Sequence, residues 1–274
     1  MRSIYDELVK LQRLPDAFKE WADYRAKLTD FILGETEEGA SALIVGAGQC
    51  NDLDIRRLKE HFGRITLMDR DLGSVAEGLE RQGVSLFGLE PGADISLECG
   101  DIVGIDEEMY RKLCLDALEA VRAGRSGADM EELFLDTMEQ TYSCRKPYTF
   151  AGDYDCVICC GVHSQLNNMF CQIAEVYQHY VKFSMEKIFR RASMENAVIA
   201  HALNRQLAAL ACRGVIMALE KQRIGVEGAI EGAYQAIEDI ELNYRINREQ
   251  SIIWPFDGTH GKIYRMRVIS INKN

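Results

Sequence analysis

One stretch, Ala42-Leu43-Ile44-Val45-Gly46-Ala47-Gly48-Gln49-Cys50-Asn51-Asp52, constrains the fold more than any other. It is answered about twenty residues later by Ile65-Thr66-Leu67-Met68-Asp69-Arg70-Asp71. Four apolar residues read as a short buried strand. Gly46 and Gly48 then let the backbone turn sharply and approach a ligand with no Cβ in the way, and a helix follows. A second apolar strand ends on an acid. This pairing belongs to an open α/β sheet whose ligand crevice lies at the carboxyl ends of the strands. A carboxylate there can accept hydrogen bonds from the two hydroxyls of a ribose, with Asp69 the first candidate and Asp71 the second.

The rest of the chain can be read around that unit. Ile4, Leu8 and Leu11, then Phe18, Trp21, Tyr24, Leu28 and Ile32, recur at helical spacing on either side of Pro15, which predicts two helices before the first strand. Residues 52–62 and 73–82 supply helices after the first and second strands, so the strands pair in parallel through right-handed crossovers. Ile95–Ile102 and Tyr154–Cys160 read as the third and fourth strands. Between them the turn Gly124-Arg125-Ser126-Gly127 divides a helical insertion in two. Residues 165–211 are helical, with an apolar stripe that is mostly core. Gly214–Glu220 reads as a fifth strand and Val226–Leu242 as its helix. Ser251–Phe256 and Lys262–Ser270 form a hairpin about Asp257-Gly258-Thr259-His260-Gly261. The expected fold is α/β: a doubly wound Rossmann-like sheet with a C-terminal antiparallel hairpin, an N-terminal helical cap over residues 1–36, and a main domain over 37–274 carrying its insertion at 104–150.

The glycine pattern bears on the choice of nucleotide. A dinucleotide fingerprint needs a third glycine where this chain has Asn51, and Asp52 and Asp54 near the helix start would repel a pyrophosphate. A ligand without phosphates fits better. The loop resembles the first motif of the class I S-adenosylmethionine-dependent methyltransferases, and the ordered strand endings over residues 42–163 carry the resemblance further: Cys99-Gly100-Asp101 is similar to the end of the family's third strand, and Cys160-Gly161-Val162-His163 to the loop after its fourth. The terminal hairpin is also a feature of that family. The resemblance implies S-adenosylmethionine as cofactor. Gly46 and Gly48 would pass beneath it, Asp69 would accept the ribose hydroxyls, Asp101 would approach the adenine amino group, and Cys160 and Gly161 would border the methionine portion. His163 is the candidate general base, weighed against a helix-capping or backbone-bonding role. Gln165 and Asn167 could orient a substrate, and Tyr142, Tyr148 and Trp254 could line the pocket. No Asn-Pro-Pro-Tyr motif follows the fourth strand, which points to a small-molecule acceptor.

Composition sets the outer bounds. A net charge of −11 argues against a nucleic-acid partner, because phosphate binding needs a basic footprint. From Asp106 to Glu139 ten acids face four bases, either as a solvated helix surface or as a lid that attracts a cationic or amine substrate. The nine cysteines are dispersed through apparent strands and helices, which suits a reducing compartment. Cys156 and Cys159 fall within one apolar strand rather than in a metal-binding loop, so no metal is expected. No apolar run reaches the roughly 20 residues that span a bilayer, and Met1–Glu7 lacks a secretory core, so no membrane partner and a cytoplasmic location are expected. Methyl transfer to a small molecule is the favoured activity. An NAD(P)-dependent oxidoreductase and a noncatalytic nucleotide-binding domain are the alternatives. The oligomeric state is not readable from the chain.

Overall fold

In a computed structural model, which describes residues 3–85 and 94–272, seven strands form one sheet in the order β3-β2-β1-β4-β5-β7-β6. The strands are β1 (Ser41–Val45), β2 (Arg64–Asp69), β3 (Asp94–Cys99), β4 (Tyr154–Cys160), β5 (Ala211–Arg223), β6 (Arg245–Asp257) and β7 (Lys262–Asn272). The first five pair in parallel, and β7 runs antiparallel between β5 and β6. The doubly wound sheet with a C-terminal antiparallel hairpin is therefore as the sequence implies. Ala42–Val45 and Cys156–Cys160 are buried along their whole length, because helices cover both faces of a parallel sheet; β3, at the edge, is only partly covered.

The chain divides into two compact units. The sheet unit comprises Pro15–Gly100, Thr149–Ser164 and Ala200–Asn274. It contains α2 (Ala17–Glu20), α3 (Ala22–Glu35), α4 (Ile55–His61), α5 (Leu72–Arg81) and α10 (Ala233–Asn243). The helical unit comprises Met1–Leu14, Asp101–Tyr148 and Gln165–Ile199. It holds α1 (Ile4–Leu11), α6 (Glu107–Arg122), α7 (Gly127–Cys144), α8 (Met169–Gln178) and the first part of α9 (Glu186–Leu210). Its core is built on Leu113, Phe134, Met138, Phe170 and Tyr177. Ser126 ends the break between α6 and α7 with a reciprocal cap to Asp129, where the glycine-bounded turn predicts it.

The expected N-terminal cap over residues 1–36 is split at Pro15. Tyr5 of α1 stacks on Tyr110 of α6, with ring centroids 5.4 Å apart, so α1 belongs to the helical core. Trp21 and Tyr24 instead meet Trp254 of β6, at 4.9 and 5.4 Å, which fixes α3 to the sheet unit. Each segment carries its own helical apolar stripe on either side of the proline, and the two stripes serve different cores. The expected 104–150 insertion likewise does not stand by itself, since its helices share a core with α1, α8 and α9.

Candidate functional site

The loop after β1 is pinned from two sides. The amides of Gly46 and Ala47 both donate to the Met68 carbonyl of β2, at 2.9 and 3.1 Å. Gly46 sits at φ +73°, and a Cβ there would collide with the Val162 side chain that follows β4. Gly48, at φ +49°, donates its amide to Asp69 Oδ2 at 2.8 Å. A Cβ on Gly48 would meet open space, so its missing side chain leaves a cradle rather than a protein contact. Asp69 Oδ1 accepts from the Asp71 amide at 2.9 Å, so this one carboxylate organises both the β1 loop and the β2 turn. Asp71 accepts from the Ser74 amide and hydroxyl as the N-cap of α5. Of the two candidate acids, Asp69 is therefore the one joined to the glycine loop.

Three amides at the start of α4 are already taken by the protein's own side chains. The Ile55 amide donates to Gln82 Oε1 at 2.9 Å, the Arg57 amide to Asp54 Oδ1 at 3.2 Å, and the Asp54 amide to the Thr29 hydroxyl. Helix starts bind anions through free amides and their dipole, and here the protein's own side chains have taken that role. Asp52, half-buried in the same turn, has its carboxyl pushed up to about 7 by burial, against the pull of the Arg25 guanidinium. Arg25 itself donates to the carbonyls of Phe18 and Asn51.

At the end of β4, Cys160 is buried and burial pushes its thiol well up, away from any thiolate role at neutral pH. The Gly161 amide donates to the Ala218 carbonyl of β5, which draws the loop across toward the hairpin. A Cβ on Gly161 would lie 3.3 Å from the Trp254 ring and 3.9 Å from Glu220 Oε1. Ser164 donates its hydroxyl to Glu220 Oε1 at 2.6 Å. Glu220 is only 2% exposed and Trp254 only 5%, yet Glu220 Oε2 and Trp254 Nε1 are buried with no hydrogen-bond partner. Burial raises the Glu220 carboxyl, with the Ser164 hydroxyl opposing. Trp21, Tyr24, Phe256 and Tyr264 surround the Trp254 ring, at centroid distances of 4.9 to 6.0 Å.

His163 stands differently from a solvent-facing base. Its side chain is fully buried, and its Nε2 lies 2.9 Å from Asn204 Oδ1. Asn204 spends its own N–H groups on Asp239 Oδ2 and the Ala236 carbonyl, so its oxygen must accept and His163 Nε2 must carry the proton. Burial lowers the imidazole to about 4, leaving it neutral at physiological pH.

The other candidates fall in the helical unit. Asp101 Oδ1 accepts from the Val103 amide at 2.9 Å and its carbonyl from the Tyr148 amide, two residues beyond the last residue of β3. Tyr142 and Asn167 bond one another, and Asn167 also donates to the Ala192 carbonyl, so both are tied into the helical interior. Among the acids of α6 and α7, Asp106 and Asp129 cap helices, while Glu107, Glu131 and Glu139 pair with Arg111, Lys187 and Arg191. These are the ordinary uses of a solvated helix surface. Glu220, Ser164, Trp21 and Tyr24 were not picked out as site residues in the sequence. Glu220 did carry a signal, since it is the acid that ends the apolar run Val215-Ile216-Met217-Ala218-Leu219 just as Asp69 ends β2. Among the described residues no group of three or more His, Cys, Asp or Glu side chains is placed to hold a metal ion, and no helix is long and apolar enough to cross a membrane.

No protein-family model and no curated protein matches the chain. Solved structures do resemble it, at low identity. Magnesium protoporphyrin IX methyltransferase from Synechocystis PCC 6803, with bound SAH, is 14% identical, with a TM-score of 0.49 over 96% of this chain and 89% of that one. A SAM-dependent methyltransferase from Aquifex aeolicus is 10% identical, with a TM-score of 0.46 over the full length of both chains. A TehB-like SAM-dependent methyltransferase from Corynebacterium glutamicum is 10% identical, with a TM-score of 0.44 over 98% of each.

Proposed function

We propose that this chain is an S-adenosylmethionine-dependent methyltransferase acting on a small molecule. The observation that carries the reading is the convergence of three strand ends. The Gly46–Gly48 loop of β1 is held open above Gly48, anchored to Asp69 of β2 and wedged beneath Val162 beyond β4. Gly48 would lie under the cofactor, Asp69 has lone pairs left for ribose hydroxyls after its two amide bonds, and Gly161 would border the methionine portion. The occupied amides at the start of α4 disfavour a pyrophosphate, and with it an NAD(P)-dependent oxidoreductase. When bound, the cofactor supplies an electrophilic methyl group on a sulfonium. The chain's own task is to orient an acceptor against it and exclude water. His163, neutral and tied to Asn204, serves in this reading as a buried post under the loop rather than as the proton acceptor. The acidic balance and the absence of a nucleic-acid footprint support a small-molecule acceptor.

Calorimetric titration with S-adenosylhomocysteine and, separately, with NAD tests this. Micromolar binding of S-adenosylhomocysteine that Gly48→Leu abolishes is the expected result, because the leucine side chain would fill the cradle. Binding of NAD alone would turn the assignment to a dehydrogenase. Binding of neither would end it.

A further inference from the structure

The edge of the sheet opposite the glycine loop holds a cavity of about 180 Å³. It lies at the starts of β1, β4 and β5 and the end of β7, where Ala40, Asp155, Gly214 and Asn272 border it. Cys156 also borders it, whereas Cys160 ends the same strand about 13 Å further along, so the cavity is separate from the candidate crevice. Strand pairing fixes which side chains face it. Ser270 of β7 lies opposite Ile216 of β5 and Arg248 of β6, and side chains directly opposite one another share a face. Arg248 reaches across Phe31 of α3 and donates to Glu35 Oε1 at 2.9 Å, so this is the face that α3 covers, and Ser270 and Glu35 both line the cavity. Cys156 lies opposite Gly214, where a Cβ would stand 3.1 Å from Asn272 Oδ1.

Ser270 is only 6% exposed, yet its hydroxyl has no hydrogen-bond partner among the described residues. A buried hydroxyl left unpaired is costly, and one that borders a cavity marks a place for a ligand. Glu35, mostly buried, gives Oε1 to Arg248 and keeps Oε2 unpaired among the described residues. Arg213, at the rim, is already matched by Glu37 and by Asp155, the latter at 3.2 Å. A carboxylate ligand would therefore meet Glu35 with no unclaimed lining guanidinium to hold it. A neutral hydroxyl brings a single proton. A primary ammonium brings three N–H groups to a cavity whose open groups are a carboxylate oxygen, a hydroxyl and an amide oxygen, while Ile216, Cys156 and Ala40 offer an apolar floor to the rest of the molecule. A cavity of about 150 Å³ admits a benzene ring, which sets the size of that remainder. We propose that this cavity is a second ligand site, taking a primary amine with one ring or a short apolar chain, with Glu35 holding the ammonium and Ser270 and Asn272 lining its bed. The site stands whether or not the glycine loop binds a methyl donor.

The test follows backbone amide resonances of the full, nitrogen-labelled chain during titration with benzylamine, benzyl alcohol and benzoate. Benzylamine should shift the amides of Gly214, Ile216 and Asn272 saturably and at least about tenfold more tightly than benzyl alcohol, while benzoate leaves them unmoved. Glu35→Gln, which keeps the shape and removes the charge, should weaken benzylamine about tenfold. It breaks only an ion pair whose Arg248 partner is half exposed, so the fold should hold. Ser270→Ala should weaken benzylamine about threefold, and Ser270→Leu, whose longer side chain enters the cavity, should abolish its binding. Should Ser270→Leu fail to fold, the other two variants carry the test. Benzyl alcohol binding as tightly as benzylamine, benzylamine affinity unchanged in Glu35→Gln, shifts confined to the Gly46–Gly48 loop, or no saturable shift up to about 10 mM overturns the proposal.

Discussion

His163 offers a quantitative check on how the loop after β4 is held. Its imidazole has an ordinary value near 6.5 in an unfolded chain and is lowered to about 4 by burial in the folded one. Between those values the unfolded chain binds a proton that the folded chain refuses, so stability rises with pH through this window and is lost as the solution is acidified. At 1.36 kcal/mol per pH unit, the shift from 6.5 to about 4 corresponds to a loss of about 2 kcal/mol between pH 8 and pH 5, and about 3 kcal/mol by pH 4. Two acids act in the opposite sense. Asp52 and Glu220 have raised values, so the folded chain holds their protons longer and stability from them falls as pH rises. The His163 contribution is isolated by difference. Urea unfolding of the wild type and of His163→Gln, at a series of pH values from 8 to 5, contains the acids' contribution in both chains. The variant should be the less stable of the two at pH 8, having lost packing around a fully buried side chain. The gap should close by about 2 kcal/mol at pH 5, because glutamine does not titrate. A gap constant to within about 0.5 kcal/mol over that range would refute the reasoning, as would a His163 C2–H proton resonance that titrates near 6.5.

Further predictions separate folding from binding. Gly46→Ala should destabilise the chain by about 2–5 kcal/mol, combining a left-handed backbone with a clash against Val162. Gly48→Ala should cost only about 1–2 kcal/mol yet weaken S-adenosylhomocysteine at least about tenfold, because its Cβ meets no protein atom; thermal unfolding and calorimetry on the pair check this. Asp69→Asn offers one carbonyl oxygen to two amides, so it should cost about 1–3 kcal/mol, read by denaturant unfolding. Phe170→Ala, fully buried against Tyr110 and Tyr142, should cost about 3–5 kcal/mol, with hydrogen exchange rising in α1, α6 and α8.

The order of strands and helices was written in local patterns, and so was legible in the chain. Apolar runs of four to seven residues, a glycine pair, the turn at Gly124–Gly127 and the hairpin around Gly258 each act over a few residues, and the elements follow in the expected order, though β5 and β6 run longer than expected, α10 begins at Ala233 and not Val226, and the expected helical stretch 165–211 is broken between α8 and α9. Asp69 was legible for the same reason, as an acid ending a buried strand. Tertiary structure decided what no local pattern carries. It assigned α1 and α3, which both carry helical apolar stripes, to different cores, because which face an apolar stripe meets depends on residues more than a hundred positions away, Tyr110 for one and Trp254 for the other. It also enclosed His163 and paired it with Asn204, so a residue that the sequence offers as a base is held neutral inside the protein. Glu220 and Trp254, separated by 34 residues in the chain, became neighbours of Gly161 only through the β5-β7-β6 pairing. Their unmet hydrogen bonds depend on burial, and burial is a property of the packed chain rather than of any segment of it.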